Sequence, residues 1–126
     1  MTKQTKDSIS KHPLVKTIID AIQDKKGQDI TLIDLRSMEG TIAQCFVICQ
    51  GNSPTQVEAI AGEVSDQVRE KLHEKAIGCI GLEQAHWVAI DFGDVMLHVF
   101  VPDQRQYYDL EGLWQDAPQI QVPNLD

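Results

Sequence analysis

The last third of this 126-residue chain has almost no basic side chains. Residues 82–126 contain Arg105 as their only Lys or Arg, against eight acidic residues, so this third carries a net charge of −7 out of −8 for the whole chain. Phosphate backbones are bound by Lys and Arg, so direct nucleic-acid binding is disfavoured. The field favours a basic protein partner. Composition leaves open the alternative that this acidic end serves only solubility.

Long apolar runs are also missing. No stretch approaches the roughly 18–20 residues that a membrane span needs. The first residues lack an apolar signal segment, and the absence of arginine together with Asp7 is unlike an organellar transit peptide. The expectation is a cytoplasmic protein with no membrane partner. Three cysteines, an odd number on apolar segments, predict buried free thiols and no disulfide framework (Cys45, Cys49, Cys79).

Two segments have the spacing of amphipathic helices. Residues 13–26 carry apolar side chains at i, i+3 and i+4, with Pro13 suited to a first helical position and Gly27 suited to the stop. Residues 54–75 follow Ser53, a typical N-cap, with Gln56 completing a capping box. Strands are predicted for residues 29–35, 43–49, 77–80, 87–91 and 94–101, and a turn or short helix for 105–113.

This order predicts an α/β (α+β) fold with a mixed, partly antiparallel five-stranded sheet and helices mainly on one face. Residues 1–11 are expected to be a disordered N-terminal segment. Residues 12–117 are expected to form a single domain, followed by an extended C-terminal tail at 118–126.

The last two strong strands form the most informative part of the sequence. If Phe92-Gly93 is the turn of a hairpin, Asp91 lies opposite Asp94 and Trp87 opposite His98. Side chains alternate across a strand, so one face carries only aliphatic core residues. The other face mixes large apolar groups with carboxylates and an imidazole: Trp87, Ala89, Asp91, Asp94, Met96, His98 and Phe100.

That mixed face is difficult to explain as either core or plain surface. A second helix layer over it would bury two like charges, Asp91 and Asp94, at a large cost. Left to solvent, Trp87, Met96 and Phe100 would form an exposed apolar patch that monomers usually avoid. An aromatic and Met patch ringed by carboxylates is typical of a protein interface. The assignment of side chains to faces depends on the register, because a slip of one residue exchanges the faces.

The sequence lacks the residues that an enzymatic interpretation requires. Gly51-Asn52-Ser53 before a helix could cradle a phosphate, but no Asp-x-Asp pair follows on the next strand, and a helix cap explains the segment better. The four histidines have no Cys or His neighbour at metal-ligand spacing (His12, His73, His86, His98). Asp91 and Asp94 alone are weak evidence for a cation. No metal, cofactor or catalytic residue is predicted.

The sequence resembles the ribosomal silencing factor (Iojap-like) family over roughly residues 12–117. The resemblance is carried by Phe46-Val47-Ile48-x-x-Gly51-Asn52-Ser53, by Trp87-Val88-x-x-Asp91-Phe92-Gly93-Asp94-Val95-x-x-His98-Val99-Phe100, and by Arg105-x-x-Tyr108-x-Leu110-Glu111-x-Leu113-Trp114. Two departures are Gln44-Cys45-Phe46, where the family commonly has Asp-Tyr or Asp-Phe, and Ile80-Gly81, where it usually has Glu-Gly.

The resemblance implies a nucleotidyltransferase-like shape without the catalytic carboxylates, and homodimers when free. It implies binding to large ribosomal subunit protein fourteen at the intersubunit face of the 50S subunit, which blocks subunit joining and represses translation under nutrient limitation. The implied contact surface is Trp87 with its positional neighbours: Ala89, Asp91, Phe92, Asp94, Met96, His98 and Phe100. Two alternatives stay open: a nucleotidyltransferase-like enzyme using Ser53 with Asp91 or Asp94, and a dimeric acidic scaffold for another basic protein.

Overall fold

The structure, a computed structural model, describes residues 8–125. A 3-10 turn precedes four helices and six strands in the described chain. The 3-10 turn is Ile9–Lys11; the helices are α1 (Pro13–Asp24), α2 (Pro54–Leu72), α3 (Pro102–Tyr108) and α4 (Leu110–Leu113); the strands are β1 (Gln28–Asp34), β2 (Cys45–Gln50), β3 (Gly78–Ile80), β4 (Trp87–Asp91), β5 (Val95–Phe100) and β6 (Gln119–Val122).

The strands form one mixed sheet in the order β3-β4-β5-β2-β1-β6. β2 and β5 run parallel at its centre, and every other neighbouring pair is antiparallel. This confirms the predicted α+β class with a mixed sheet. The predicted strand count was one too low, because Gln119–Val122 pairs with β1 at the sheet edge. Four residues between Pro118 and Pro123 are too short for a periodic pattern to reveal a strand.

The two long helices begin where their capping residues predict. Ser53 accepts a hydrogen bond from the Gln56 N–H at 3.2 Å, and Gln56 Oε1 accepts from the Asn52 N–H at 2.7 Å. His12 Nδ1 accepts from the Leu14 N–H at 3.2 Å before Pro13. These contacts satisfy amides that a helix start leaves without partners. The Gly51–Ser53 segment is therefore used as a helix cap, as expected.

α1 and α2 pack against one face of the sheet and enclose the main core. Its sheet side is built from alternate residues of the central strands, including Val47, Val88, Ile90, Leu97 and Val99, all fully buried. We call this the helix-covered face, and the opposite side of the sheet the open face. Burial of this aliphatic layer is the main source of stability, at about 25 cal/mol per Å² of apolar surface.

The start of the described chain differs from expectation. Residues 1–7 lie outside the described residues, but Ile9 is fully buried in the main core, so residues 8–11 are ordered.

Among the described residues, no helix is long and apolar enough to cross a membrane. Cys45 and Cys49 are buried free thiols as predicted, whereas Cys79 is exposed on edge strand β3, contrary to the prediction.

Candidate functional site

The turn of the β4–β5 hairpin lies one residue later than predicted, at Gly93-Asp94. Phe92 N–H donates to the Val95 carbonyl at 2.9 Å, and Asp91 pairs with Met96, not Asp94. Trp87 consequently lies opposite Phe100 and not opposite His98. Asp91 Oδ1 accepts from the Gly93 N–H at 2.8 Å, where Gly93 has a positive φ of 90°. The register differs by two residues, and an even shift keeps every strand side chain on its predicted face.

An aromatic cluster covers the middle of the open face. The Trp87 ring stacks on Phe100 with centroids 4.9 Å apart and lies 4.5 Å from the Tyr108 ring on α3. Phe46 on β2 contacts the His98 ring edge-on at 4.9 Å and Trp114 at 5.9 Å. Aromatic pairs of this kind add about 0.5–1.5 kcal/mol each beyond their buried area. Trp87 is half-buried, so part of its ring stays available to solvent.

His98 orients Trp87. The Trp87 indole N–H donates to His98 Nδ1 at 3.1 Å, which requires that nitrogen to be unprotonated. His98 is only 5% exposed, and burial lowers the pKa of its imidazole to about 4. The neutral ring therefore carries its proton on Nε2, which is buried without a hydrogen-bond partner among the described residues. The indole N–H of Trp87 is therefore bonded within the protein, and the exposed part of Trp87 offers apolar ring surface.

Next to Trp87 the open face forms a shallow groove of about 340 Å³ between β3, β4 and β5. Five of the eight predicted contact residues line it, together with three residues of the edge strand β3. The lining residues are Gly78, Cys79, Ile80, Trp87, Ala89, Asp91, Met96 and His98. The structure thus brings most of the sequence-predicted set together around one depression.

The other three predicted residues lie elsewhere. Phe92 is 7% exposed and belongs to the main core with the helices, because it continues the alternation of β4 on the same side as Val88 and Ile90. Phe100 is fully buried beneath Trp87 and so supports the surface from below. Asp94 is exposed in the hairpin turn, outside the groove. Trp87 and Met96, both half-buried, are the accessible apolar groups that remain of the predicted patch.

Sequence reasoning missed three residues of this surface. Ile80 pairs with Ala89, so it shares the open face, and it is 72% exposed. Phe46 is the parallel neighbour of Met96 and extends the apolar surface onto β2. Tyr108 holds the outer side of Trp87. Only Ile80 had a sequence signal, an isoleucine where the resembling family usually has a charge.

Arg105 anchors α3 and α4 to the sheet. Its guanidinium donates to Glu111 Oε2 at 2.6 and 3.0 Å, and further donates to Thr31 Oγ1 at 3.1 Å, Gln50 Oε1 at 3.2 Å and the Asp29 carbonyl at 2.6 Å. The only Lys or Arg of residues 82–126 is thus bound to groups within the domain. This network fixes the helix that presses Tyr108 against Trp87.

The residues proposed for an enzyme are not assembled. Ser53 follows the carboxyl end of β2, whereas Asp91 and Asp94 flank the amino end of β5, its parallel neighbour. The two ends of a six-residue strand lie roughly 17–20 Å apart. The Asp91 carboxylate also closes the hairpin turn. Among residues 8–125, no three His, Cys, Asp or Glu side chains are grouped as a metal site.

These features define a small α+β domain whose sheet is covered by helices on one face and presents an aromatic, acid-flanked surface on the other. A model of one family, ribosomal silencing factor during starvation (RsfS), matches residues 7–126. The chain belongs to the ribosomal silencing factor family. Its membership connects it with the ribosome and with regulation of translation, and the relatives are named as silencing factors, a regulatory role.

Individual relatives agree with this assignment. Ribosomal silencing factor RsfS of Halalkalibacterium halodurans is 41% identical over 93% of this chain and 98% of its own, and that of Bacillus subtilis is 43% identical over 83% and 87%. A crystal structure from Chromobacterium violaceum superposes with a TM-score of 0.78 at 35% identity, covering 90% of each chain. A structure from Bacillus halodurans gives 0.76 at 37%, covering 88% of this chain and 99% of its own.

Proposed function

We propose that this protein silences ribosomes by binding large ribosomal subunit protein fourteen on the 50S subunit through its open face. Bound there, it occupies the intersubunit face and blocks joining of the small subunit, so that translation falls when nutrients are short. The contact centres on Trp87, with Ala89, Asp91, Met96 and His98 lining the groove beside it and Asp94 in the exposed hairpin turn.

The observation that carries the proposal is the half-exposed Trp87, held between His98, Phe100 and Tyr108 at the edge of an apolar groove. A tryptophan fixed in one orientation loses little side-chain entropy on binding, which is why such residues dominate interface energies. Asp91 lines the groove and Asp94 is exposed in the hairpin turn, and these carboxylates support docking on a basic ribosomal protein. Phe92 and Phe100 support the surface only from the interior.

The experiment is co-sedimentation with purified 50S subunits. Trp87→Ala should weaken binding by about 2 kcal/mol, roughly thirtyfold in Kd, since truncation of a central aromatic anchor costs at least this much. Trp87→Phe keeps a ring over Phe100 and should retain most of the affinity. The fold of each variant is checked by thermal melting.

Equal co-sedimentation of folded Trp87→Ala and wild type would eliminate the open face as the docking surface. Binding should also fall as ionic strength rises, because charges on the docking surface steer association. An association rate indifferent to salt would remove the electrostatic part of the proposal.

We further propose that the free protein is a cytoplasmic homodimer. Support for the dimer is the family resemblance, and support for the compartment is the bacterial origin of the relatives named above. Analytical ultracentrifugation of the free chain tests the dimer, with a monomer mass at micromolar concentration as the contradicting result.

A further inference from the structure

A second cavity lies on the other side of Trp87. It has a volume of about 640 Å³ and is bounded by the loop between β3 and β4 and by helix α3. Its lining residues are Gly81, Glu83, Gln84, His86, Trp87, Gln104 and Tyr108. Trp87 therefore separates two depressions, an apolar groove on one side and this polar cleft on the other.

The backbone of the loop is closely held at both ends. Ala85 N–H donates to the Gly81 carbonyl at 2.9 Å, and Val101 N–H donates to the His86 carbonyl at 2.9 Å. Gly81 has φ +94°, and a Cβ at this position would overlap the carbonyl oxygen of Trp87. Ala85 is also in the left-handed region, at φ 57°, and is buried. The loop is thus fixed relative to Trp87, and with it the wall that carries Glu83.

The chemistry of the cleft is suited to a cation. Among the described residues that line it, Glu83 is the only carboxylate and there is no Lys or Arg. The Tyr108 ring, which is 45% exposed and lies 4.5 Å from the Trp87 ring, provides an electron-rich surface that attracts ammonium and guanidinium groups. Arg105, on the same helix as Tyr108, is held by Glu111 and does not line the cleft.

We propose that this cleft takes one cationic side chain of the docked partner, with arginine favoured over lysine because a guanidinium both pairs with a carboxylate and stacks on aromatic rings. The inference rests on the proposed function and adds to it a specific pocket. The apolar groove then accepts aliphatic surface, and the cleft fixes the orientation of the partner by charge.

The test is the binding kinetics of purified 50S subunits on the immobilised full chain. Loss of one partner of a desolvated ion pair accelerates dissociation, whereas loss of a rim charge mainly slows association. Glu83 is exposed in the free protein and would be covered by the docked partner, so Glu83→Gln should raise the dissociation rate constant by about tenfold. Asp94→Asn, the same change of charge in the exposed turn, should alter mainly the association rate constant.

Glu58→Gln, an exposed carboxylate of α2 on the helix-covered side, is the control and should change neither constant by more than about twofold. An unchanged dissociation rate constant for Glu83→Gln would overturn the cationic pocket. If Trp87→Ala still weakens binding in that case, the proposed function stands without the cationic pocket. If Trp87→Ala also binds like wild type, both fall together.

Discussion

The two faces of the β4–β5 hairpin differ in almost every chemical respect, although they alternate along the same eleven strand residues. The helix-covered face consists of Val88, Ile90, Val95, Leu97 and Val99, each fully buried. The open face holds an indole, an imidazole, a thioether and a carboxylate, of which Trp87, Asp91 and Met96 are only half-buried. One set of residues packs in the core, and the other leaves side chains accessible at the surface.

In this small domain, the residues that stabilise the sheet lie on one face and the residues that remain accessible lie on the other. Aliphatic residues under α1 and α2 stabilise the sheet, so residues on the open face need not all contribute to stability. The orphaned Nε2 of His98 illustrates this, since an unsatisfied buried polar group costs about 1–3 kcal/mol. This cost in stability arises at the same imidazole ring that orients Trp87.

The largest effect should come from the helix-covered face. Leu97→Ala should lower the free energy of unfolding by about 3.5 kcal/mol, because it leaves a cavity under the helices. Urea denaturation measures the change. A cost below about 1 kcal/mol would mean that this face is not the principal core.

A somewhat smaller effect is expected where α3 and α4 are anchored to the open face. Arg105→Ala should destabilise by roughly 2–3 kcal/mol, since Glu111 would lose its partner in a pair whose side chains are 12% and 24% exposed. Arg105→Lys should recover only part of this, because an ammonium cannot reproduce the fork of contacts. Full recovery by lysine would show that charge alone matters at this position.

His98 should make stability depend on pH. Its pKa is lower in the folded protein than the ordinary value of 6.5, so the unfolded chain binds the proton more readily between pH 6.5 and about 4. Stability is therefore highest above pH 6.5 and falls with decreasing pH, by about 2 kcal/mol from pH 7 to pH 5. His98→Gln removes the titration, and urea melts at both pH values should show most of this loss disappear. An unchanged loss in that variant would contradict the burial of a neutral imidazole.

The smallest effect on stability should come from Ile80. Ile80→Glu, on an edge strand and 72% exposed, should change the free energy of unfolding by no more than about 0.5 kcal/mol. The same change should alter binding to 50S subunits, because Ile80 lines the groove. A large loss of stability would place Ile80 in the core and not on the docking surface.

Much of this could be read from the sequence because alternation and capping are local signals. The faces of β4 and β5 and the starts of α1 and α2 followed from them. The register, β6 and the burial of Phe100 could not. The register depends on the position of the turn, β6 on a distant pairing with β1, and the burial of Phe100 on the stacking of Trp87 above it. The grouping of Ile80, Phe46 and Tyr108 around the groove likewise depends on strand order and on α3, which no local pattern specifies.

The central claim is that the open face, and not the helix-covered side, stops ribosomal subunits from joining. The direct measurement is light scattering of 70S formation from purified 50S and 30S subunits with added protein. Wild type should suppress the signal, Trp87→Ala should not, and Glu58→Lys with Glu70→Lys on the exposed side of α2 should act like wild type. Suppression that survives Trp87→Ala but is lost with the α2 substitutions would contradict the account.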